Sequence, residues 1–134
     1  LGTEAPAMFR ALVEAICFGA RAIVERFRKQ GIPIDAVVGV GGVAKKSPLT
    51  MQMLADVLEM PIHIVRSEQT PALGAAMYAA VAAGVFPTTA EAVAAMGSGF
   101  ETTYHPQAEN QHYYRERFVT YQAFGAFVEN RKHQ

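Results

Sequence analysis

The sequence predicts an α/β fold, and three observations carry that expectation. A long stretch with apolar residues three and four apart comes first, and two short β-branched runs follow, each leading into a further helical pattern. Glycine or proline punctuates the ends of most of these segments, as at Gly31, Gly41-Gly42, Pro48, Pro61, Pro71 and Gly84. With 134 residues, 51% of them apolar and 18% charged, the chain has enough apolar side chains to build a core and is unlike a disordered segment.

The first helix is expected from about Pro6 to Gln30. Phe9, Leu12, Val13, Ile16, Ala20, Ile23, Val24 and Phe27 form one apolar stripe, with Glu14, Arg21, Glu25, Arg26 and Arg28 largely off it. Lys29 brings positive charge to the last turn and Gly31 ends it. The run from Ala36 to Val40 lacks polar alternation, so both of its faces are expected to be covered, as in a central parallel strand. Ser47 before Pro48 supplies an N-cap and a first-turn proline. Leu49, Met53, Val57 and Leu58 then give a second helix its apolar face as far as Pro61. A second strand covers Ile62 to Val65, and Thr70-Pro71 opens an alanine-rich helix that stops at Gly84. Thr88 with Glu91 is a capping box for a short helix that ends at Gly97-Ser98-Gly99. Residues 100–109 read as a loop. Tyr114, Phe118, Tyr121, Gly125 and Val128 mark a final amphipathic helix. Two strands are too few for a stable sheet, and the chain opens on Leu1 already in an amphipathic pattern. It is therefore expected to be a segment of a longer protein with further strands upstream.

Charge narrows the classes of function. Lys plus Arg and Asp plus Glu are 12 each, so neither a basic nucleic-acid stripe nor polybasic membrane docking is expected. The longest nearly polar-free run, Ala75 to Pro87, is too short to cross a bilayer. A single cysteine, Cys17, excludes an intramolecular disulfide and a multi-cysteine metal site, and fits a reducing cytoplasm.

The chemistry-bearing signal is the turn Gly39-Val40-Gly41-Gly42-Val43-Ala44. Glycines leaving a strand let the backbone approach a ligand, and the carboxyl end of a parallel strand is where open α/β sheets bind one. A phosphate-cradling P-loop fails in both frames, because Val40 and Lys45, or Ala44 and Lys46, occupy required positions. A dinucleotide fingerprint fits Gly39, Gly41 and Ala44. It should open its helix at once, however, whereas the next helix is expected only at Ser47-Pro48, and Arg66 precedes the acidic Glu68 after the second strand.

The run from Val38 to Leu49, with Gly41-Gly42-Val43-Ala44-Lys45-Lys46-Ser47 at its centre, resembles the adenosine-site turn of the FGGY carbohydrate kinases. Met51-Gln52, Ala55-Asp56-Val57-Leu58 and Pro61-Ile62 continue the likeness. Glu68 to Ala76 resembles the family's second helix-opening signature, and the similarity extends from about Phe9 to Phe127. It implies part of a ribonuclease-H-like domain of the actin/hexokinase type, with parallel strands, flanking helices and a helical C-terminal extension. Residues 1–87 would then be the C-terminal part of the ATP-binding domain and residues 88–134 the extension. The resemblance further implies ATP with Mg2+ as cofactor, a ketopentose such as L-ribulose as acceptor, and a cleft shared with an upstream domain. It puts the backbone of Gly41 and Gly42 beside the adenosine or α-phosphate. Lys46 and Ser47 fall where relatives often carry an asparagine near the adenine.

The remaining inventory offers no catalytic residue. Phosphoryl transfer needs a base, usually an aspartate, and the chain has two: Asp35 before the first strand, and Asp56, expected on the surface of the second helix. Lys45 reads as solvated or as a phosphate contact, and Glu68 as a cap or a ribose contact. His63 reads as a packed strand residue. His105, His112 and His133 show no metal-ligand spacing, and Cys17 reads as a buried apolar residue. The aromatic residues Tyr114, Phe118, Tyr121, Phe124 and Phe127 read as core cover or as a subunit interface, and a homo-oligomer is expected. A non-catalytic interaction or oligomerisation module on the same scaffold is the alternative.

Overall fold

The computed structural model describes residues 3–131, so His133 lies outside the described residues. Helix α1 (Ala5–Lys29) starts with Pro6 in its first turn and ends with Arg26, Arg28 and Lys29, where cations meet the carbonyl end of the helix. Strand β1 (Val37–Gly39) leads into α2 (Gly41–Lys46), and α3 (Pro48–Leu58) follows directly after Ser47. Strand β2 (Ile62–Val65) precedes α4 (Thr70–Ala82) and α5 (Thr89–Met96). At the start of α5 the Thr88 hydroxyl accepts from the Glu91 amide at 3.2 Å. Strand β3 (Phe100–Tyr104) and the long α6 (Ala108–Arg131) complete the described chain.

The sheet has the order β1-β2-β3. β1 and β2 run parallel, with Val37, Val38 and Gly39 opposite Ile62, His63 and Ile64. β3 runs antiparallel to β2, with Tyr104 opposite Ile62 and a bulge at Ile64/Val65. The segment read as a loop over 100–109 is therefore half strand. Phe100, Thr102, Thr103 and Tyr104 are strand-favouring residues, but the glycines on one side and the short length hide the signal. The histidine of β2 is packed as expected: the His63 ring stacks on Phe100 at 4.7 Å, and its Nδ1 is 2.9 Å from the Thr103 hydroxyl.

Two further expectations change. β1 has one partner among the described residues, and Val38 is 50% exposed, so the strand is an edge here rather than covered on both faces. In α1 the buried residues are Val13, Glu14, Cys17, Phe18 and Val24, whereas Phe9, Leu12, Ile16 and Ile23 face outward. The apolar stripe is thus wider than the contact it makes within this chain, and the packed side is rotated toward Glu14 and Phe18.

α3 is the centre of the packing. Met51, Ala55 and Leu58 join Ile62, Ile64, Met60, Ala44 and Val24 in a core beneath the sheet. Met53 and Val57 join Val13, Cys17, Phe18, Tyr114 and Phe118 in a second core between α1 and α6. Leu49, expected on the apolar face, is exposed. Burial among these side chains pushes the Cys17 thiol up to about 11, so it stays protonated and inert at neutral pH.

Burial on two faces forces a correction for Asp56. Expected on the surface, it is 2% exposed. Its Oδ1 accepts from Gln52 Nε2 at 2.9 Å and from the Gln107 amide at 2.8 Å, and its Oδ2 accepts from Asn110 Nδ2 at 2.8 Å. A buried carboxylate is tolerable only with such partners. It ties α3 to the turn that starts α6. Glu14 is equally buried and bridges Arg10 Nε at 3.0 Å and Arg117 Nε at 2.9 Å, joining α1 to α6. Asp56→Ala is expected to cost about 1–3 kcal/mol, because three donors lose their acceptor. Denaturant unfolding of the intact protein measures this, and amide exchange at residues 105–110 should accelerate.

The C-terminal end of α3 carries the second electrostatic lock. Glu59 sits at φ +56°, the left-handed conformation that ends a helix. Arg115 grips its carboxylate, with Nε to Oε1 at 2.8 Å, and Arg21 approaches it at 3.2 Å while also donating to the Val57 carbonyl at 2.9 Å. The hydrogen bond from Arg115 holds the Glu59 carboxyl below the usual carboxylate range. A carboxyl with a depressed folded-state pKa contributes stability above its unfolded value and loses it as pH falls through the folded value. Glu59→Gln should therefore lower the melting temperature near neutral pH, and the gap to the parent should narrow as pH falls below the ordinary glutamate range.

Candidate functional site

The parallel pairing of β1 and β2 puts both of their carboxyl-end loops at one edge of the sheet. Between them lies a cavity of about 280 Å³, with Gly41, Gly42, Lys45 and Lys46 on one wall and Ser67, Glu68 and Gln69 on the other. The first wall turns sharply because Gly41 sits at φ +83°, which a side chain would strain. One residue then suffices to pass from strand to helix, and α2 opens at Gly41 rather than the chain waiting for Ser47. Gly42 has open space where a Cβ would stand.

The first glycine of the turn serves a different purpose. A Cβ on Gly39 would lie 2.8 Å from Ile64 Cδ1 and 3.2 Å from Ala44 Cβ. Gly39 thus lets β1 and α2 close on the neighbouring strand, which is a packing role and not approach to a ligand.

Three of the four residues expected at the site, Gly41, Gly42 and Lys46, line the cavity together. Ser47 does not; its Oγ lies 2.7 Å from the Thr50 hydroxyl, and it makes no side-chain cap at α3. Lys45, expected to be solvated or a phosphate contact, donates from Nζ to the Arg66 carbonyl at 2.7 Å and approaches Glu101 at 3.4 Å. On the second wall the Ser67 amide donates to Ser98 Oγ at 3.1 Å, and the Gln69 amide donates to Ser67 Oγ at 3.2 Å. Ser67 and Gln69 escaped the sequence reading because a polar run before Thr70-Pro71 looks like a helix start. Only the pairing of two strands 25 residues apart in sequence (Val37 with Ile62) brings that run to the glycines. Neither aspartate lines the cavity. Among the described residues no three His, Cys, Asp or Glu side chains come together as a metal site, and no helix is long and apolar enough to cross a membrane.

A cavity at the carboxyl end of parallel strands, walled by a glycine turn and its neighbour's exit loop, lies where open α/β sheets bind ligands. The model of the C-terminal domain of the FGGY family of carbohydrate kinases matches residues 1–83, and the chain belongs to that family. It is 47% identical over 129 residues to the ribulokinase of Vibrio parahaemolyticus, covering 96% of this chain and 23% of that protein. With the ribulokinase of Bacillus licheniformis the identity is 43% over 125 residues, covering 90% of this chain and 23% of that protein. The chain thus spans about a quarter of the length of these curated relatives. Among solved structures, xylulose kinase from Rhodospirillum rubrum superposes with a TM-score of 0.84 at 21% identity, over 100% of this chain and 27% of that one. Plasmodium falciparum glycerol kinase with ADP gives 0.73 at 22% identity, over 97% of this chain and 25% of that one. These two show a shared fold. Family membership removes the dinucleotide reading, even though one of the two obstacles to it, a delayed helix, is absent because α2 opens at Gly41.

Gly39→Ala is expected to destabilise the protein by about 1–3 kcal/mol, the range for overpacking a close core contact. A denaturant midpoint equal to that of the parent would show that Ile64 and Ala44 can move aside freely.

Proposed function

We propose that this chain forms the adenosine side of the ATP site of a longer sugar kinase, which transfers the γ-phosphate to a ketopentose such as L-ribulose. The observation that carries the reading is the cavity between Gly41-Gly42 and Ser67-Glu68-Gln69 at the carboxyl end of β1 and β2. Bare main chain at the glycines accepts the purine-ribose end closely, and Lys46 on the same wall offers positive charge to the phosphates. The ketopentose is supported by the ribulokinase names of the 47% and 43% identical relatives.

The base that deprotonates the sugar hydroxyl is proposed to lie outside this chain. Asp35 and Asp56 are both away from the cavity, and Asp56 is committed to three hydrogen bonds. By the same reasoning the chain alone is inactive. Magnesium would accompany the triphosphate, but the only carboxylate lining the cavity is Glu68, so no residue here is assigned to the metal. Residues 1–87 are proposed as the C-terminal part of the ATP-binding domain. Residues 88–134 are proposed as an extension of the same domain, which adds β3 to the sheet and packs α6 on α1 and α3. The outward-facing Phe9, Leu12, Ile16 and Ile23 support a cover by an upstream part of the same protein. Closure of the two parts around ATP and sugar would exclude water and limit wasteful hydrolysis. Exposed Phe124 and Phe127 on α6 support the homo-oligomer, and one buried cysteine supports a reducing cytoplasm.

In the full-length protein, ATP at about a hundred times its dissociation constant should stabilise the fold by about 2.7 kcal/mol. Gly42→Asp should abolish the resulting rise in melting temperature. A Cβ at this position meets nothing within 4 Å in the protein itself, so the variant is expected to act on the ligand by filling the space and by repelling phosphate. A mutant that responds to ATP like the parent would place the nucleotide elsewhere.

A further inference from the structure

We propose that Lys45 is a positioning residue of the nucleotide site, an internal strap that fixes the gap between the two walls without contacting the ligand. This rests on the reading of the cavity as the nucleotide site. Lys45 lies near the end of α2, on the glycine wall. Its side chain is 22% exposed, and Nζ donates to the Arg66 carbonyl at 2.7 Å while approaching Glu101 Oε2 of β3 at 3.4 Å. That carbonyl belongs to the peptide unit joining Arg66 to Ser67, the entry to the second wall. The other half of the same peptide, the Ser67 amide, donates to Ser98 Oγ at 3.1 Å. The peptide plane is therefore held from both sides, by an ammonium on one and a hydroxyl on the other.

The choice of partners separates Lys45 from a phosphate ligand. An ammonium has three donors and no acceptor. Here one donor makes a short charge-assisted bond to main chain and the cation faces a carboxylate. Two of its three donor directions are thus turned to the protein's own groups. The adjacent Lys46 is exposed on the same wall and is the cation open to a ligand. Two neighbouring lysines thus divide the work: one spans the protein's own gap and the other faces what enters it.

The test uses the full-length enzyme, with dissociation constants for adenosine, ADP and ATP by calorimetry and steady-state kinetics alongside. Lys45→Met is expected to weaken adenosine, ADP and ATP alike, by roughly three- to tenfold, the loss of one charge-assisted bond at a partly exposed site. The KM for ATP should rise by more than kcat falls. Lys45→Arg, which keeps a cationic donor, should recover affinity to within about twofold of the parent. Glu101→Gln, on an exposed strand position, should give a smaller loss with the same uniform pattern. A loss confined to ADP and ATP, with adenosine unchanged, would make Lys45 a phosphate ligand and overturn the strap. Unchanged affinities in both Lys45→Met and Glu101→Gln would overturn it too. If Gly42→Asp abolishes nucleotide binding while these variants bind normally, the strap alone fails. If Gly42→Asp binds like the parent, the site falls and the strap with it.

Discussion

Burial of α3 on two faces is the constraint from which the rest of this structure follows. One side of the helix must be apolar for the sheet and another for α1 and α6, which Met51, Ala55 and Leu58 and then Met53 and Val57 provide. The polar residue caught between, Asp56, cannot reach bulk water. Its lone pairs must be met from within, and they are met by the Gln107 amide and the Asn110 side chain at the start of α6. The last carbonyls of α3 are similarly orphaned, and Arg21 and Arg115 close that end through Val57 and Glu59. Each lock joins elements far apart in sequence, so the apolar cores supply the driving force and the buried polar bonds set the register of α1 and α6 on α3.

The candidate site inherits its geometry from that packing. Ala44 of α2 and Met51 of α3 belong to the core beneath the sheet, and Gly39 lets them approach Ile64 without a clash. The glycine turn is therefore fixed at its foot by apolar contacts and remains open at its tip, where Gly42 meets nothing. The opposing wall has little apolar anchorage and is held by polar bonds from Lys45 and Ser98. Apolar contacts at the foot of one wall and polar bonds on the other together set the gap between them. The chemistry of transfer is separate from this. Neither aspartate lines the cavity, and its one carboxylate among the described residues is Glu68.

Much of this was written plainly in the sequence. The long helices, the two parallel strands, the capping box at Thr88 and Glu91, and the grouping of Gly41, Gly42 and Lys46 all depend on near neighbours, and local periodicity and turn chemistry report near neighbours well. The family itself was legible from the run Val38 to Leu49 together with the helix-opening signature Glu68 to Ala76. What went unread depends on distant partners. Asp56 is indistinguishable from a surface residue until α6 is docked beside it. Residues 100–104 become a strand because β2 offers them a partner edge, and Ser67 and Gln69 become a wall only when β1 and β2 pair side by side. Lys45 changes from a solvated charge into a strap for the same reason. The sequence by itself determined which segments coil, extend or turn, because those preferences are set within a few residues. Tertiary structure alone decided which polar groups are buried and which loops face one another, because burial and hydrogen-bond satisfaction are properties of residues brought together from 21 to 103 positions apart.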